Sequence, residues 1–188
     1  MSRPPLSLKA RAIALLAQRE HSRLELRRKL LAIERRARAL AAAAAAAAEA
    51  SHLAPPDDTA DLGDDAGDAE DAEDAECTVD ALLDTLSRDG YLSESRFIES
   101  RVHLRAQRFG AQRIQQELAQ HGLKLDADQA ADLKASEQAR AREVWLRRFG
   151  PEPDRDAAAQ AKQTRFLLAR GFSPDVVRRL LRSPASLD

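Results

Sequence analysis

The sequence predicts an all-α protein, an elongated array of tandem three-helix modules, and three observations carry that prediction. Alternating runs of Val, Ile or Tyr, the mark of strands, do not occur. Apolar residues follow helical spacing instead, as in Ile13, Leu16 and Ala17, then Val79, Leu82, Leu83 and Leu86, then Leu180 and Leu181 after Val177. Helix ends also repeat. Leu86-Ser-Arg-Asp-Gly90-Tyr91, Leu118-Ala-Gln-His-Gly122-Leu123 and Leu167-Leu-Ala-Arg-Gly171-Phe172 each place Gly where the chain must turn left-handed, followed by an apolar residue that can fold back on the helix.

Helix starts repeat in the same way. Leu92 and Phe97 flank cap Ser93, Phe109 and Ile114 flank Gly110, and Phe172 and Val177 flank Ser173, each an apolar pair able to staple the entry of a helix. His21 and Leu26 flank Ser22 at the same spacing, with Glu25 completing a Ser-x-x-Glu capping box. Pro174 fits a first helical position.

These signals set the elements in order. Helices are expected near 8–20, 23–50 and 79–88, forming a first module at 1–90 with an Ala-rich and acidic insertion at about 38–78. A second module, 91–137, takes helices near 94–108, 111–121 and 127–137. A third, 138–188, takes helices near 138–149, 155–170 and 174–182. Five Phe, one Tyr and one Trp can fill only small cores, so neighbouring modules should support one another.

A formal charge of -1 hides three regions. Residues 1–40 carry 11 basic and 3 acidic side chains, residues 41–80 carry 13 acidic and no basic ones, and the remainder carries 19 basic and 15 acidic. A basic helical body therefore bears one acidic insertion, and the body is what should meet a polyanion. Basic residues fall in rows on single helix faces: Arg23 with Arg27; Arg101, Arg105 and Arg108; Lys162 with Arg165; Arg178 with Arg182. Arg113 joins them as a candidate for the same surface. Phosphate binding needs such rows, because each neutralised phosphate releases counterions and the effects add along a strand. A solvated basic face is the competing reading, and Glu25 with Lys29 and Glu143 with Arg147 are local i, i+4 pairs. The row from Arg101 to Arg108 lacks one, since Glu94 meets Ile98 and Glu99 meets His103. It is read as locally unpaired.

Ala41 to Ala48 is an unbroken run of the best helix former, so the second helix should continue past Arg38. From Pro55 to Glu76 the chain is acidic and poor in apolar bulk, too little to offset its ordering entropy, and disorder is expected. A tolerated solvated insertion is favoured there over a mimic that competes with DNA for the basic face.

The same letters argue against catalysis. No two of His21, His52, His103, His121 and Cys77 have metal-ligand spacing, and Cys77 has no cationic activator nearby. Ser22, Ser93 and Ser173 are explained as caps, and no phosphate-binding Gly-Lys-Thr/Ser loop occurs. No metal, cofactor or catalytic residue is expected. Trp145, with Leu146 and Phe149, reads as module core rather than a base-stacking platform. The apolar run from Ala12 to Ala17 is too short for a signal peptide, and no segment approaches membrane-spanning length. With one cysteine, a cytoplasmic monomer is expected.

Four of these segments, taken in order, resemble the RecX family of bacterial recombination regulators. They are Ala14-Leu-Leu-Ala17-Gln-Arg-Glu-His-Ser22-Arg-Leu-Glu25-Leu26; Gly90-Tyr91-Leu92-Ser93-Glu-Ser-Arg96-Phe97; Arg108-Phe109-Gly110 with Ile114 and Glu117-Leu118; and Arg170-Gly171-Phe172-Ser173. The likeness covers the chain except about residues 38–78, where the long insertion departs from the family. It implies tandem three-helix modules and a non-enzymatic role in DNA repair, homologous recombination and the SOS response. The implied partners are RecA and the RecA-DNA filament, whose ATPase, coprotease and strand-exchange activities would be inhibited, with possible direct binding of single- or double-stranded DNA. Two alternatives stay open: a stand-alone helical DNA-binding protein, and a protein-interaction scaffold indifferent to DNA.

Overall fold

A computed structural model describes residues 6–50, 65–151, 153 and 156–182, with the side chains of 49, 50 and 65–71 left out. Among the described residues the chain forms nine α-helices and no strand. They are α1 (Leu8–Gln18), α2 (Arg23–Ala50), α3 (Asp65–Arg88), α4 (Glu94–Ala106), α5 (Ala111–Ala119), α6 (Ala127–Ala135), α7 (Glu137–Phe149), α8 (Ala157–Ala169) and α9 (Pro174–Arg182). The chain divides into two compact units at Ser93/Glu94.

In the first unit α1, α2 and α3 enclose Ala12, Leu26, Leu30, Val79, Leu83 and Leu86, joined by Leu92. The entry of α2 is buried to an unusual degree for polar residues, with His21 and Ser22 almost without solvent exposure. Ser22 Oγ accepts from the Glu25 N–H at 3.1 Å, as a cap should. The Glu25 carboxylate pairs with Arg19 and with Lys29 Nζ, and lies 3.3 Å from His21 Nδ1.

The third helix starts at Asp65, well before the expected 79. Its additional turns bury Ala75 and place Glu76 against Arg27 of α2, beside Asp80 of the expected part, so tertiary partners stabilise a segment whose composition offers no core. Of the insertion, residues 51–64 lie outside the described residues. The end of α3 is corrected in one detail. Gly90 has φ +77 as expected, but Tyr91 stays half exposed and Leu92 folds back instead, its N–H reaching the Leu86 carbonyl at 3.0 Å.

The second unit holds two cores. Helices α4, α5 and α6 surround Phe97, Ile98, Ile114, Leu118, Leu123 and Leu133, while α7, α8 and α9 surround Val144, Trp145, Leu167, Phe172, Val177 and Leu180. Trp145 is core as read from the sequence, its indole N–H donating to Gln163 Oε1 at 2.8 Å. Leu123 and Phe172 fold back behind Gly122 and Gly171, with N–H to carbonyl distances of 3.0 and 3.3 Å to Leu118 and Leu167. The staple pairs Phe109/Ile114 and Phe172/Val177 each fall in one core.

What joins these two cores is backbone meeting backbone. The Gly110 N–H donates to the Arg170 carbonyl at 2.9 Å and the Gln112 N–H to the Gly171 carbonyl at 3.2 Å. A Cβ on Gly110 would lie 2.1 Å from the Gly171 oxygen, and one on Gly171 would lie 2.6 Å from Arg113 Cβ, so neither position tolerates a side chain without displacing main chain. Glu137, 2% exposed, accepts from the N–H groups of Ala111 at 3.0 Å and Ser173 at 3.3 Å. One carboxylate thereby serves the N-termini of α5 and α9, where unpaired donors and the helix dipole favour negative charge. Arg140 completes the joint from the other side, donating to the carbonyls of Phe109 (2.8 Å), Ala106 (3.2 Å) and Leu133 (2.6 Å).

Candidate nucleic-acid interface

Phe97 and Ile98 pack α4 against Ile114 and Leu118 of α5, and that packing gathers three of the predicted arginines. Arg101, Arg105 and Arg113 line one cleft of about 330 Å³ together with Gln116, Glu117, Gln120 and His121. Each guanidinium is held by an aromatic ring: Arg101 lies 5.4 Å from the Phe97 centroid, and Arg105 and Arg113 lie 4.6 and 6.0 Å from that of Phe109. His121 packs edge-on against Phe97 at 5.0 Å and places Nε2 3.5 Å from an Arg101 nitrogen. Phe97 and Phe109 were legible as staple residues, but their second task of holding cations was not.

The row from Arg101 to Arg108 has no partner on its own helix, as its spacing implies, but it gains one across helices. Glu117 of α5 takes both forks of Arg105, the Nε–Oε2 distance being 2.6 Å, and sits 3.5 Å from Arg113 Nε. The Arg105 guanidinium holds the Glu117 carboxyl below the usual carboxylate range against the opposing effect of burial, and Glu117 in turn raises Arg105. A signal for this partner existed, because Glu117 stands four residues after Arg113. The partner of Arg105 crosses from another helix, and no spacing rule finds it.

Three cations against one carboxylate leave the cleft with a net charge of about +2. Arg105 is spent on Glu117. Arg101 and Arg113 also line the cleft, and the Arg101 Nε is buried without a hydrogen-bond partner. Gln116 and Gln120 add amide donors. Such an arrangement can hold a phosphate: cations preset on rings, neutral donors beside them, and one carboxylate that fixes the geometry without cancelling the charge.

The remaining predicted residues lie elsewhere. Arg108 is exposed beyond the end of α4, outside that cleft. Arg178 and Arg182 line a separate cleft of about 390 Å³ beside α8, where Arg178 pairs with Asp175 at 3.3 Å. Lys162 and Arg165 are exposed on α8. In the first unit Arg27 is bound by Asp80 at 2.8 and 3.0 Å and by Glu76 at 2.8 Å, and Arg23 by Asp84 at 2.8 Å. The structure thus occupies Arg23 and Arg27 with the acidic helix α3. Among the described residues no group of three His, Cys, Asp or Glu could hold a metal ion, and no helix is long and apolar enough to cross a membrane.

Comparison with known proteins matches this architecture. The family profile described as RecX, second three-helix domain, covers residues 93–131, and that described as RecX, third three-helix domain, covers residues 135–181. The chain is 43% identical to the Regulatory protein RecX of Ralstonia nicotianae over 100% of its own length and 94% of the relative's. It is 44% identical to the protein of that name from Leptothrix cholodnii, over 96% and 91% of the two chains, and 35% identical to that from Pseudomonas entomophila, over 94% and 91%.

Proposed function

The chain belongs to the RecX family, and from that premise we propose that it binds RecA and the RecA-DNA filament and inhibits the ATPase, coprotease and strand-exchange activities of RecA. In this reading the protein acts as a monomer in the cytoplasm and as a binding protein rather than an enzyme. The cleft between α4 and α5 meets the phosphate backbone of the filament's DNA. One observation carries this assignment: Arg101 and Arg113 converge on one cleft, set on phenylalanine rings beside glutamine donors, with a net positive charge. Preset cations lose little freedom on binding, so each ion pair with a phosphate keeps more of its favourable free energy.

RecA ATPase on single-stranded DNA tests the proposal, with the protein added before and after filament assembly. Inhibition well below one molecule per RecA is expected. Replacing both Arg101 and Arg113 with Ala should weaken DNA binding about tenfold and reduce the slope of log affinity against log salt by roughly two, one for each phosphate that is no longer neutralised. An unchanged slope with intact helicity excludes the cleft as the DNA-binding site. A stand-alone DNA-binding role is favoured instead if DNA binding is retained and RecA is not inhibited at all, because nothing in the cleft itself requires a protein partner.

A further inference from the structure

Helix α4 carries a second, chemically opposite face. Advancing 100° per residue, the stripe of Glu99, Val102 and Ala106 is centred roughly 110° around the helix from that of Arg101 and Arg105. There α4, α6 and α7 enclose a groove of about 490 Å³ with Ile98, Val102, Ala106 and Leu133 as its apolar lining and Glu99 and Asp132 exposed on it. Glu143 adds a third carboxylate, 2.9 Å from Arg147. The one arginine in the groove, Arg140, spends its donors on the carbonyls of Ala106, Phe109 and Leu133 and so is committed to the joint between the two cores.

Such a groove repels phosphate: its free charges are carboxylates and its surface is largely hydrocarbon. A short polypeptide segment suits it, with an apolar side chain entering between Val102 and Leu133 and flanking Lys or Arg side chains reaching Glu99 and Asp132. Because the same helix forms the basic cleft on its neighbouring face, an occupant of the groove would sit within a helix diameter of bound DNA, about 10–12 Å. We infer that the groove docks a basic, apolar-anchored segment of the protein that coats the DNA, so that α4 reads strand and coat together. This rests on the filament-binding reading and adds a protein-docking surface to it.

Two variants test it, each compared on bare single-stranded DNA and on the same immobilised strand coated with RecA. Ala106→Gln fills the groove floor without changing charge, and Glu99→Gln with Asp132→Asn removes charge without changing shape. Ala106→Gln is expected to weaken binding to the coated strand about tenfold and the double variant about threefold, the range of a central anchor and of rim charges, with binding to bare DNA altered less than about twofold. Circular dichroism verifies that both remain helical. Unchanged affinity of both variants for the coated strand overturns the inference, as does an equal loss on bare DNA. Wild-type protein that fails to distinguish coated from bare DNA overturns the filament reading itself, a result separate from either outcome in the variants.

Discussion

Two arginine pairs at one spacing meet opposite surroundings. Arg23 and Arg27 of α2 face α3, which supplies Asp84, Asp80 and Glu76. Arg101 and Arg105 of α4 face α5, which supplies the single carboxylate Glu117 and another arginine, Arg113. In the first unit a basic row is neutralised by the acidic helix beside it. In the second it becomes a positively charged cleft. Surface charge in a helical protein is therefore a property of helix pairs, and a row counted on one helix states only half of it.

The largest expected difference between the two sites is in stability. Glu117 is 9% exposed, and Arg105→Ala leaves its carboxylate only the 3.5 Å contact with Arg113, which should cost about 2 kcal/mol in a urea titration. Arg27→Ala leaves Asp80 and Glu76 in reach of water and should cost under about 1 kcal/mol. Equal losses would mean that the two sites do not differ in burial as described.

A smaller effect concerns DNA. Replacing Glu76 with Gln and Asp80 with Asn releases Arg27, so affinity for single-stranded DNA should rise about threefold and the salt slope steepen by roughly one. No change in either would show that Arg27, even released, stands outside the DNA path.

The smallest is a difference in acid response. Burial, together with Arg19, lowers the His21 pKa from its ordinary 6.5, although Glu25 opposes this. The folded protein thus binds fewer protons than the unfolded one as pH falls below 6.5, and the first unit loses stability there. Burial would raise Glu25, but the hydrogen bond from Arg19 prevails and brings its pKa to about 2, so its contribution is present above 4.5 and lost between 4.5 and about 2. Glu117 in the second unit is likewise lowered from 4.5 and begins to lose its contribution only below that value. Hydrogen exchange at about pH 7 and about pH 5 should show α2 opening more readily at the lower pH while α5 is little affected, and His21→Gln should reduce that difference. An equal response of both helices would remove His21 from the account.

Helix class, the four glycine- and serine-marked boundaries and the staple residues of the second unit were legible because each is a local rule. A left-handed residue is needed at Gly90, Gly122 and Gly171, and the structure gives them φ values of +77, +73 and +78. Ser22 caps the helix that it precedes. The start of α3 was not legible, since Asp65 to Glu76 looks unstructured until Arg27 faces it. Nor were Glu137 and Arg140, which carry no local signal in the sequence but hold the joint between two cores.

Gly110 shows where the boundary falls. Its letter announces a helix entry, and the entry is there. That it also lies against Gly171, where a Cβ would come 2.1 Å from a carbonyl oxygen, depends on a residue far along the chain. Helix ends, caps and apolar stripes follow from interactions within a turn or two of chain, so residue order suffices to write them. Which arginine meets a carboxylate, which meets a phenylalanine ring and which faces solvent follows from distances across helices, and those exist only once the apolar stripes have packed.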